Sequence, residues 1–201
     1  YHGKVVGGVL PLPLFCGGHN YFVSRMPQRR GVEPFSVHTT FQYGGAEGKR
    51  HRLREAMLWE DDPSYYDPPG GLLAYTAHVP ASMLRPKPMS AAQHVELVEH
   101  QLRQLGAALA LAFALGRKLV LPKLVCGLDK AWFPLGRWGA FAGAPSWAVP
   151  IFECPLDHVL EPGQLRPERT VREHSFLRNM RTPAHVLASQ ASTVLLVGGP
   201  Q

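Results

Sequence analysis

The sequence predicts an α/β fold, because strand and helix patterns adjoin in two separate units. The first unit is a strand, a turn and a helix between residues 35 and 60. The second is a long helix followed by a short apolar strand, between residues 90 and 125. Such alternation is typical of α/β proteins. The 45% hydrophobic content can fill a core, and 20 Gly with 19 Pro predict many turns.

In the first unit, residues 35–43 are rich in β-branched and aromatic side chains, which predicts a strand. Residues 44–48 (GGAEG) predict a flexible turn, and residues 49–60 predict a helix. Two pairs of side chains spaced four apart indicate a buried apolar face and a separate basic face: Leu53 with Met57, and Arg50 with Arg54. Further strands are predicted at residues 4–10 and 72–79.

The second unit contains the clearest helix of the chain. Ser90 is its predicted N-cap, and Gly116 is the predicted C′ residue that ends it. Its apolar stripe alternates spacings of three and four residues: Val95, Val98, Leu102, Leu105, Leu109 and Ala112. Residues 118–125 (KLVLPKLV) then predict a short buried strand. The predicted organisation has three parts: residues 1–82, a Pro-containing linker at 83–90, and an incomplete Rossmann-like α/β region at 91–201.

The chain is basic: 21 Lys and Arg against 15 Asp and Glu give a net charge of +6 and a pI near 9.5. This balance suits an anionic partner, which could be a nucleotide, a nucleic acid or an acidic polysaccharide. The longest apolar run, residues 107–115, is shorter than the roughly 20 residues that cross a bilayer. We therefore expect any membrane anchor to lie outside this chain, which we expect to be a fragment.

Three cysteines are too few for a disulfide scaffold, and their spacing is not that of a zinc site. The count allows one disulfide, for which Cys126 and Cys154 are candidates, and it equally allows two or three free thiols. Residues 61–67 contain three aspartates and two tyrosines that could face an acceptor, although a solvated loop and packed tyrosines are the simpler interpretation. We interpret Asp157 and His158 as structural residues of a strand.

Residues 37–59 (VHTTFQYGGAEGKRHRLREAMLW) combine the groups that a metal-bound diphosphate needs. His38 can ligate Mn²⁺ or Mg²⁺. Gly44 and Gly45 allow backbone to approach a phosphate at the start of a helix, and Lys49 and Arg52 add positive charge there. Taken singly, each feature has a plainer interpretation: a packed histidine, an ordinary turn and the solvated face of a helix. Their order favours an anion site.

These residues resemble the C-terminal motif of glycosyltransferase family 77, in the arabinosyltransferase branch of plants and green algae. Family members read roughly VH, then Asn or Thr, a glycine, a lysine, RLRE or RLKE, and LW. The similarity extends over most of residues 9–180. The stretches that carry it are LFCGGH at 14–19 with Tyr21 and Phe22, DPPGG at 67–71, residues 116–122, and CPLDHV at 154–159.

The resemblance implies a GT-A nucleotide-sugar transferase domain, here its C-terminal part, followed by the start of a second α/β unit. It implies transfer of L-arabinofuranose from a UDP-sugar to arabinosides on hydroxyproline-rich glycoproteins, the extensins, in the Golgi lumen. By carry-over, His38 is the metal ligand for Mn²⁺ or Mg²⁺, Gly44 or Gly45 approaches the diphosphate, Lys49 contacts it, and Arg52 is a further candidate. No nucleic acid is expected as a partner, and the catalytic residue is not assigned.

One departure from the family pattern limits this expectation. GT-A enzymes hold their cation mainly through an Asp-x-Asp motif, and the sequence contains no such triplet. We therefore expect the chain on its own to be inactive. The alternative functions are a non-catalytic binder of anions or nucleic acid, for which the GKRHRLR run is the evidence, and a scaffold domain.

Overall fold

The computed structural model describes residues 3, 7–85, 89–128, 151–165 and 170–188. Within these ranges lie seven short strands: β1 (Phe15–Gly17), β2 (Ser36–His38), β3 (Leu72–Ala74), β4 (Lys118–Val120), β5 (Leu124–Cys126), β6 (Phe152–Cys154) and β7 (Val171–Arg172). The same ranges contain five α-helices: α1 (Met26–Arg30), α2 (Gly45–Glu55), α3 (Pro63–Tyr66), α4 (Ala91–Ala114) and α5 (Ala184–Ala188). Residues 7–10 form no strand, and the rest of the strand predicted at 4–10 lies outside the described residues.

The strands form three small sheets. β1 and β2 pair in parallel, with Gly17 opposite His38. β3, β4 and β7 form a parallel sheet with β4 at its centre, and β5 pairs with β6 in antiparallel fashion. Helices with small parallel and antiparallel sheets confirm the α/β class. The assignment to a GT-A fold stays a prediction.

Helix α4 is the crossover between β3 and β4, as parallel neighbours require. It therefore joins two strands of one sheet that lie on opposite sides of the predicted linker at 83–90. The predicted strand at 72–79 is shortened to β3. The strand predicted at 118–125 is two strands, β4 and β5, and each belongs to a different sheet.

Both predicted ends of α4 are confirmed. The Ser90 side chain accepts a hydrogen bond from the N–H of Gln93, whose side chain in turn accepts one from the N–H of Ser90. This reciprocal capping box satisfies two donors at the helix start. At the other end Gly116 has φ +63°, its N–H donates to Phe113 O, and the N–H of Arg117 donates to Ala112 O. These two bonds define a Schellman motif.

The buried face of α4 is rotated from the predicted stripe. Leu105 and Ala112 are buried as expected, but Val95 is 48% exposed. The buried positions are Leu97, Gln101, Leu105, Ala108 and Ala112. Gln101 explains the difference, because its side-chain amide both donates to and accepts from the backbone of Val125 in β5, at 2.9 Å each. A search for apolar periodicity cannot identify a polar residue at the centre of the buried face.

The hydrophobic interior has two clusters. The larger lies between α4 and the strands β3 to β7, and includes Leu105, Leu119, Leu124 and Val171. The second gathers around α3: Tyr65, Tyr66, Leu72, Val120, Phe176 and Val186. Both tyrosines at 65 and 66 are therefore packing residues, as the simpler interpretation held.

A disulfide between Cys126 and Cys154 joins β5 to β6, while Cys16 is a buried free thiol. Of the two alternatives that the cysteine count allowed, the structure has the single bridge. Among the helices of the described residues, none combines the length and apolar character that a membrane span requires.

Candidate functional site

The carboxyl ends of β1 and β2 lie side by side. The N–H of Gly18, just after β1, donates to Thr40 Oγ1 at 3.1 Å, just after β2. A side chain at Gly18 would collide with the backbone oxygen of Thr40. Gly18 is therefore required by the close approach of two chain segments. The sequence offered GG in LFCGGH as its only signal of this contact.

His38 is the last residue of β2, and its side chain is exposed. In the described ranges no group of three or more His, Cys, Asp and Glu side chains could hold a metal ion. These residues fit only part of a metal site: a metal bound by His38 would need further ligands from outside the described residues.

The glycine turn after β2 leads directly into α2, which begins at Gly45 rather than at the predicted residue 49. Gly44 is the N-cap with φ +85°, and Gly45 has φ +60°. The Cα of Gly44 faces the Glu161 side chain and Pro162, whereas the space beside Gly45 is open. Of the two glycines proposed to approach a diphosphate, Gly45 is the one with room for a ligand.

Gly48 is the most tightly packed glycine of this turn. It is buried, and a Cβ there would overlap the backbone oxygen of Tyr43 and approach Gln42 Oε1. Its N–H donates to Gly44 O at 3.1 Å, the first hydrogen bond of the helix. The third glycine of YGGAEGK thus allows α2 to begin directly against the preceding chain.

The cations of α2 divide into exposed and buried groups. Lys49 is exposed, whereas Arg50 is half-buried, pairs with Glu47 at 3.0 Å and lies over the Trp59 ring at 5.6 Å. Arg52 and Arg54 are 0% and 3% exposed. The predicted apolar face is wrong: Leu53 is only partly buried, and Met57 lies beyond the helix with φ +59° and 41% exposure.

Arg52 is held by Asp157. Its Nε lies 3.0 and 3.1 Å from the two carboxylate oxygens, and its Nη2 lies 3.5 Å from His158 Nδ1. Asp157 also accepts the backbone N–H of Tyr43 at 2.7 Å. This conformation turns the Arg52 guanidinium toward the interior, so Lys49 is the exposed candidate for an anion contact.

Asp157 and His158 belong to a 3₁₀ turn, Leu156–His158, and not to a strand as predicted. The structural role that we assigned to them agrees with their burial, at 0% and 9% exposure. Burial opposes ionisation of Asp157, but hydrogen bonds from His158, Arg52 and the Tyr43 N–H hold its pKa below the usual range. The carboxylate is therefore charged at neutral pH.

Arg54 is held on the other side of α2. It binds Asp61 with two parallel hydrogen bonds, including Nε to Oδ2 at 2.7 Å, and its guanidinium lies 4.6 Å from the centre of the Tyr65 ring. Asp62 caps α3 by accepting from the Ser64 N–H, and Asp67 pairs with His185 at 3.0 Å. Each of the three aspartates at 61–67 therefore has a structural partner.

Comparison with known proteins finds a similarity to a plant arabinosyltransferase. The chain is similar to arabinosyltransferase XEG113 of Arabidopsis thaliana, with 43% identity over 210 residues. The match covers all of the chain and 32% of the relative, so the chain spans about a third of that protein's length. No protein-family profile matches the chain, and neither does any solved structure. The match confirms the resemblance to arabinosyltransferases that the motifs predict. The assignment to glycosyltransferase family 77 stays a prediction.

We predict that Asp157→Ala destabilises the protein by about 3–5 kcal/mol, because it leaves Arg52 buried without a counter-charge. The double variant Asp157→Leu with Arg52→Met should recover most of this loss. As a control, Glu99→Ala breaks an exposed pair with Arg103 and should cost below about 1 kcal/mol. Urea unfolding measures all three. Equal losses for Asp157→Ala and Glu99→Ala would contradict the assignment.

The same pair predicts a pH dependence. Because the folded pKa of Asp157 is depressed, its stabilising contribution is complete above the unfolded value of about 3.9 and is lost as the pH falls from there through the folded pKa. In Asp157→Asn the unfolding free energy should change less with pH over that acidic range. If the unfolding free energy of Asp157→Asn depends on pH as steeply as that of the unaltered protein, other carboxylates produce the pH dependence.

We predict opposite effects for alanine at two helical glycines. Gly106→Ala, in open space on α4, should stabilise the protein by about 1 kcal/mol through helix propensity. Gly48→Ala should destabilise it by about 1–3 kcal/mol, because α2 must move away from Tyr43. Thermal unfolding of both variants tests this, and a stabilised Gly48→Ala protein would refute the close approach.

Proposed function

We propose that this chain is the segment of an arabinosyltransferase that contacts the diphosphate of a UDP-sugar donor. The observation that carries the proposal is the 43% identity to an arabinosyltransferase along the whole chain. Two features of the structure support it. The histidine and the glycine turn both follow the carboxyl end of a parallel strand, where ligands of α/β sheets commonly bind. The start of α2 is positive through its dipole.

Each exposed residue of the site has a proposed role. The first N–H groups of α2, at the open Gly45, donate to phosphate oxygens, because the glycine N-cap offers them no side-chain acceptor. Lys49, about one turn after Gly45, neutralises charge on the diphosphate as the sugar departs. His38 supplies one ligand to a Mn²⁺ or Mg²⁺ ion, which, when bound, would act as a Lewis acid on the same phosphates.

Arg52 has a different proposed role from the one that the motif suggested. Its guanidinium is buried against Asp157, which also binds the Tyr43 N–H, so the pair connects the start of the glycine turn to the middle of α2. We propose that Arg52 positions the turn and does not touch the diphosphate.

The acceptor and the location are further proposals. We infer that the donor is UDP-arabinofuranose and that the acceptor is an arabinoside on a hydroxyproline-rich, extensin-type glycoprotein, with the Golgi lumen as the site of action. The Cys126–Cys154 disulfide supports a lumenal location, because such bridges persist in oxidising compartments.

The alternative of nucleic-acid binding is not favoured. It depended on the basic run at residues 48–54 forming a continuous positive surface. Arg52 and Arg54 are buried in ion pairs, and Arg50 pairs with Glu47. Of these four cations Lys49 alone is exposed, which is too little charge for the phosphate contacts of a nucleic-acid groove.

We predict that His38→Ala in the intact protein lowers turnover on the order of 100-fold, since loss of one electrostatic contact to a transition state has that scale. Transfer of labelled arabinose from UDP-arabinofuranose to a hydroxyproline arabinoside, with Mn²⁺ present, measures the effect. Stability should not change, because the side chain is exposed. His185→Ala, another exposed histidine, is the matched control. Equal activity of the two variants would refute the ligand assignment.

A further inference from the structure

A cavity of about 280 Å³ lies at the carboxyl end of α2, away from the glycine turn. Its walls come from residues 21–28, from β6, and from His174 with Arg178. The eleven residues of α2 separate it from the proposed diphosphate site by about 16 Å, at 1.5 Å per residue. It is therefore a different site.

The mouth of this cavity holds an ion triad with spare donors. Arg25 Nη1 and Lys123 Nζ both bind the same oxygen of Glu153, at 3.1 and 2.7 Å. Partial burial opposes ionisation of Glu153, but Lys123 and Arg25 lower its pKa, so it is charged at neutral pH. Because a guanidinium has five N–H groups, Arg25 can bind a ligand without releasing Glu153.

The charges on the cavity wall do not balance. Arg178 is a third, exposed cation, and Glu55 is the second carboxylate. Burial lowers the pKa of His174, so its imidazole is neutral at neutral pH. Its Nδ1 is buried without a hydrogen-bond partner among the described residues. The cavity wall therefore has three cations and two carboxylates: Arg25, Lys123 and Arg178 against Glu55 and Glu153. Its net charge of +1 suits a ligand with a single negative charge.

Two strained residues border the cavity. Arg25 and Met57 have φ of +51° and +59°, and they are two of the three non-glycine residues with positive φ in the described ranges. Such a backbone costs on the order of 1–2 kcal/mol per residue, and this kind of strain concentrates at binding and catalytic sites. Met57 is the C′ residue of α2, because its N–H bonds to Arg54 O and the N–H of Leu58 bonds to Leu53 O, so the helix end explains its φ. The remaining strain on this wall is that of Arg25.

The cavity also has an apolar wall. The rings of Tyr21 and Phe22 contact each other edge to face, with centroids 4.9 Å apart. Aromatic surface beside a few convergent polar groups is typical of small-molecule sites, and the volume is just below the roughly 300 Å³ at which drug-sized sites begin. A ligand of one or two sugar units matches this size.

We propose that this cavity binds a carboxylated saccharide, with a uronic acid residue as the unit that it recognises. The carboxylate of the ligand pairs with Arg178 and the free N–H groups of Arg25. The sugar hydroxyls bond to Glu153, and the carbon face of the ring packs on the aromatic wall. This site is independent of the donor site and does not require the proposed transferase activity.

Calorimetric titration of the intact protein with methyl glucuronoside tests the proposal, with methyl glucoside and inorganic phosphate as comparison probes. We expect saturable binding of the glucuronoside, at least tenfold tighter than that of either comparison probe, because only the glucuronoside has both the charge and the ring. Absence of binding would overturn the proposal. Equal binding of phosphate would reduce the site to a general anion contact and would also overturn it.

Two variants separate recognition from folding. Arg178→Gln should weaken glucuronoside binding about tenfold, whereas Arg103→Gln, an exposed arginine on α4, should leave it unchanged. Arg25→Gly should lose tenfold or more in affinity while the unfolding temperature stays equal or rises, because glycine adopts positive φ without strain. Unchanged affinity in both cavity variants would refute the assigned contacts.

Discussion

The buried ion pair between Arg52 and Asp157 is the contact on which the candidate site depends. It joins residues 105 positions apart, with both side chains 0% exposed. The second oxygen of the same carboxylate accepts the Tyr43 N–H, directly before the glycine turn. One carboxylate therefore fixes where the turn begins and how α2 is rotated about its axis.

That rotation decides which cations face solvent. Arg54, on the other side of α2, is buried separately, where it binds Asp61 and packs on Tyr65. Arg172 lies on the same tyrosine, 4.1 Å from its ring centre, and donates to its backbone oxygen at 3.0 Å. Tyr65 thus lies between two guanidinium groups, an arrangement that aromatic faces favour energetically. Lys49 is left on the surface near the start of the helix.

Buried ion pairs are weak evidence for stability, because desolvation consumes much of the attraction. Their better-attested effect is to specify one arrangement of the chain. Here the hypothesis has a concrete form: an apolar pair at positions 52 and 157 would preserve packing, but it would lose the hydrogen bond that the Tyr43 N–H donates to Asp157 and that positions the turn. A protein so altered should fold and yet hold its glycine turn less precisely.

Local signals in the sequence predicted the local structure well. The N-cap at Ser90 and the C′ glycine at Gly116 depend on residues within one helical turn, and both are confirmed. The strand predicted at residues 35–43 exists only as Ser36–His38, and of the turn predicted at 44–48 residues 45–48 already belong to α2, so these two bounds were wrong. The Cys126–Cys154 bridge remained one of two alternatives because pairing depends on a contact across 28 residues.

Long-range polar contacts explain the failures. Arg52 and Arg54 looked like a solvated basic face, because no pattern near them reveals a carboxylate at position 157. Gln101 was missed on α4 for the same reason: its amide bonds to a strand 24 residues away. In both cases a polar side chain occupies the buried face, and hydrophobic periodicity then assigns the wrong side of the helix.

We propose that α2 presents Lys49 and the open Gly45 to a donor diphosphate while its arginines support the turn from within. Titration of the intact protein with UDP in the presence of Mn²⁺ tests it most directly, comparing Lys49→Ala with Arg50→Ala. We expect Lys49→Ala to weaken UDP binding about tenfold, the scale of one charge-assisted hydrogen bond. Arg50→Ala should change UDP affinity little, because Arg50 already pairs with Glu47. Equal affinities in the two variants, or stronger loss in Arg50→Ala, would contradict the account.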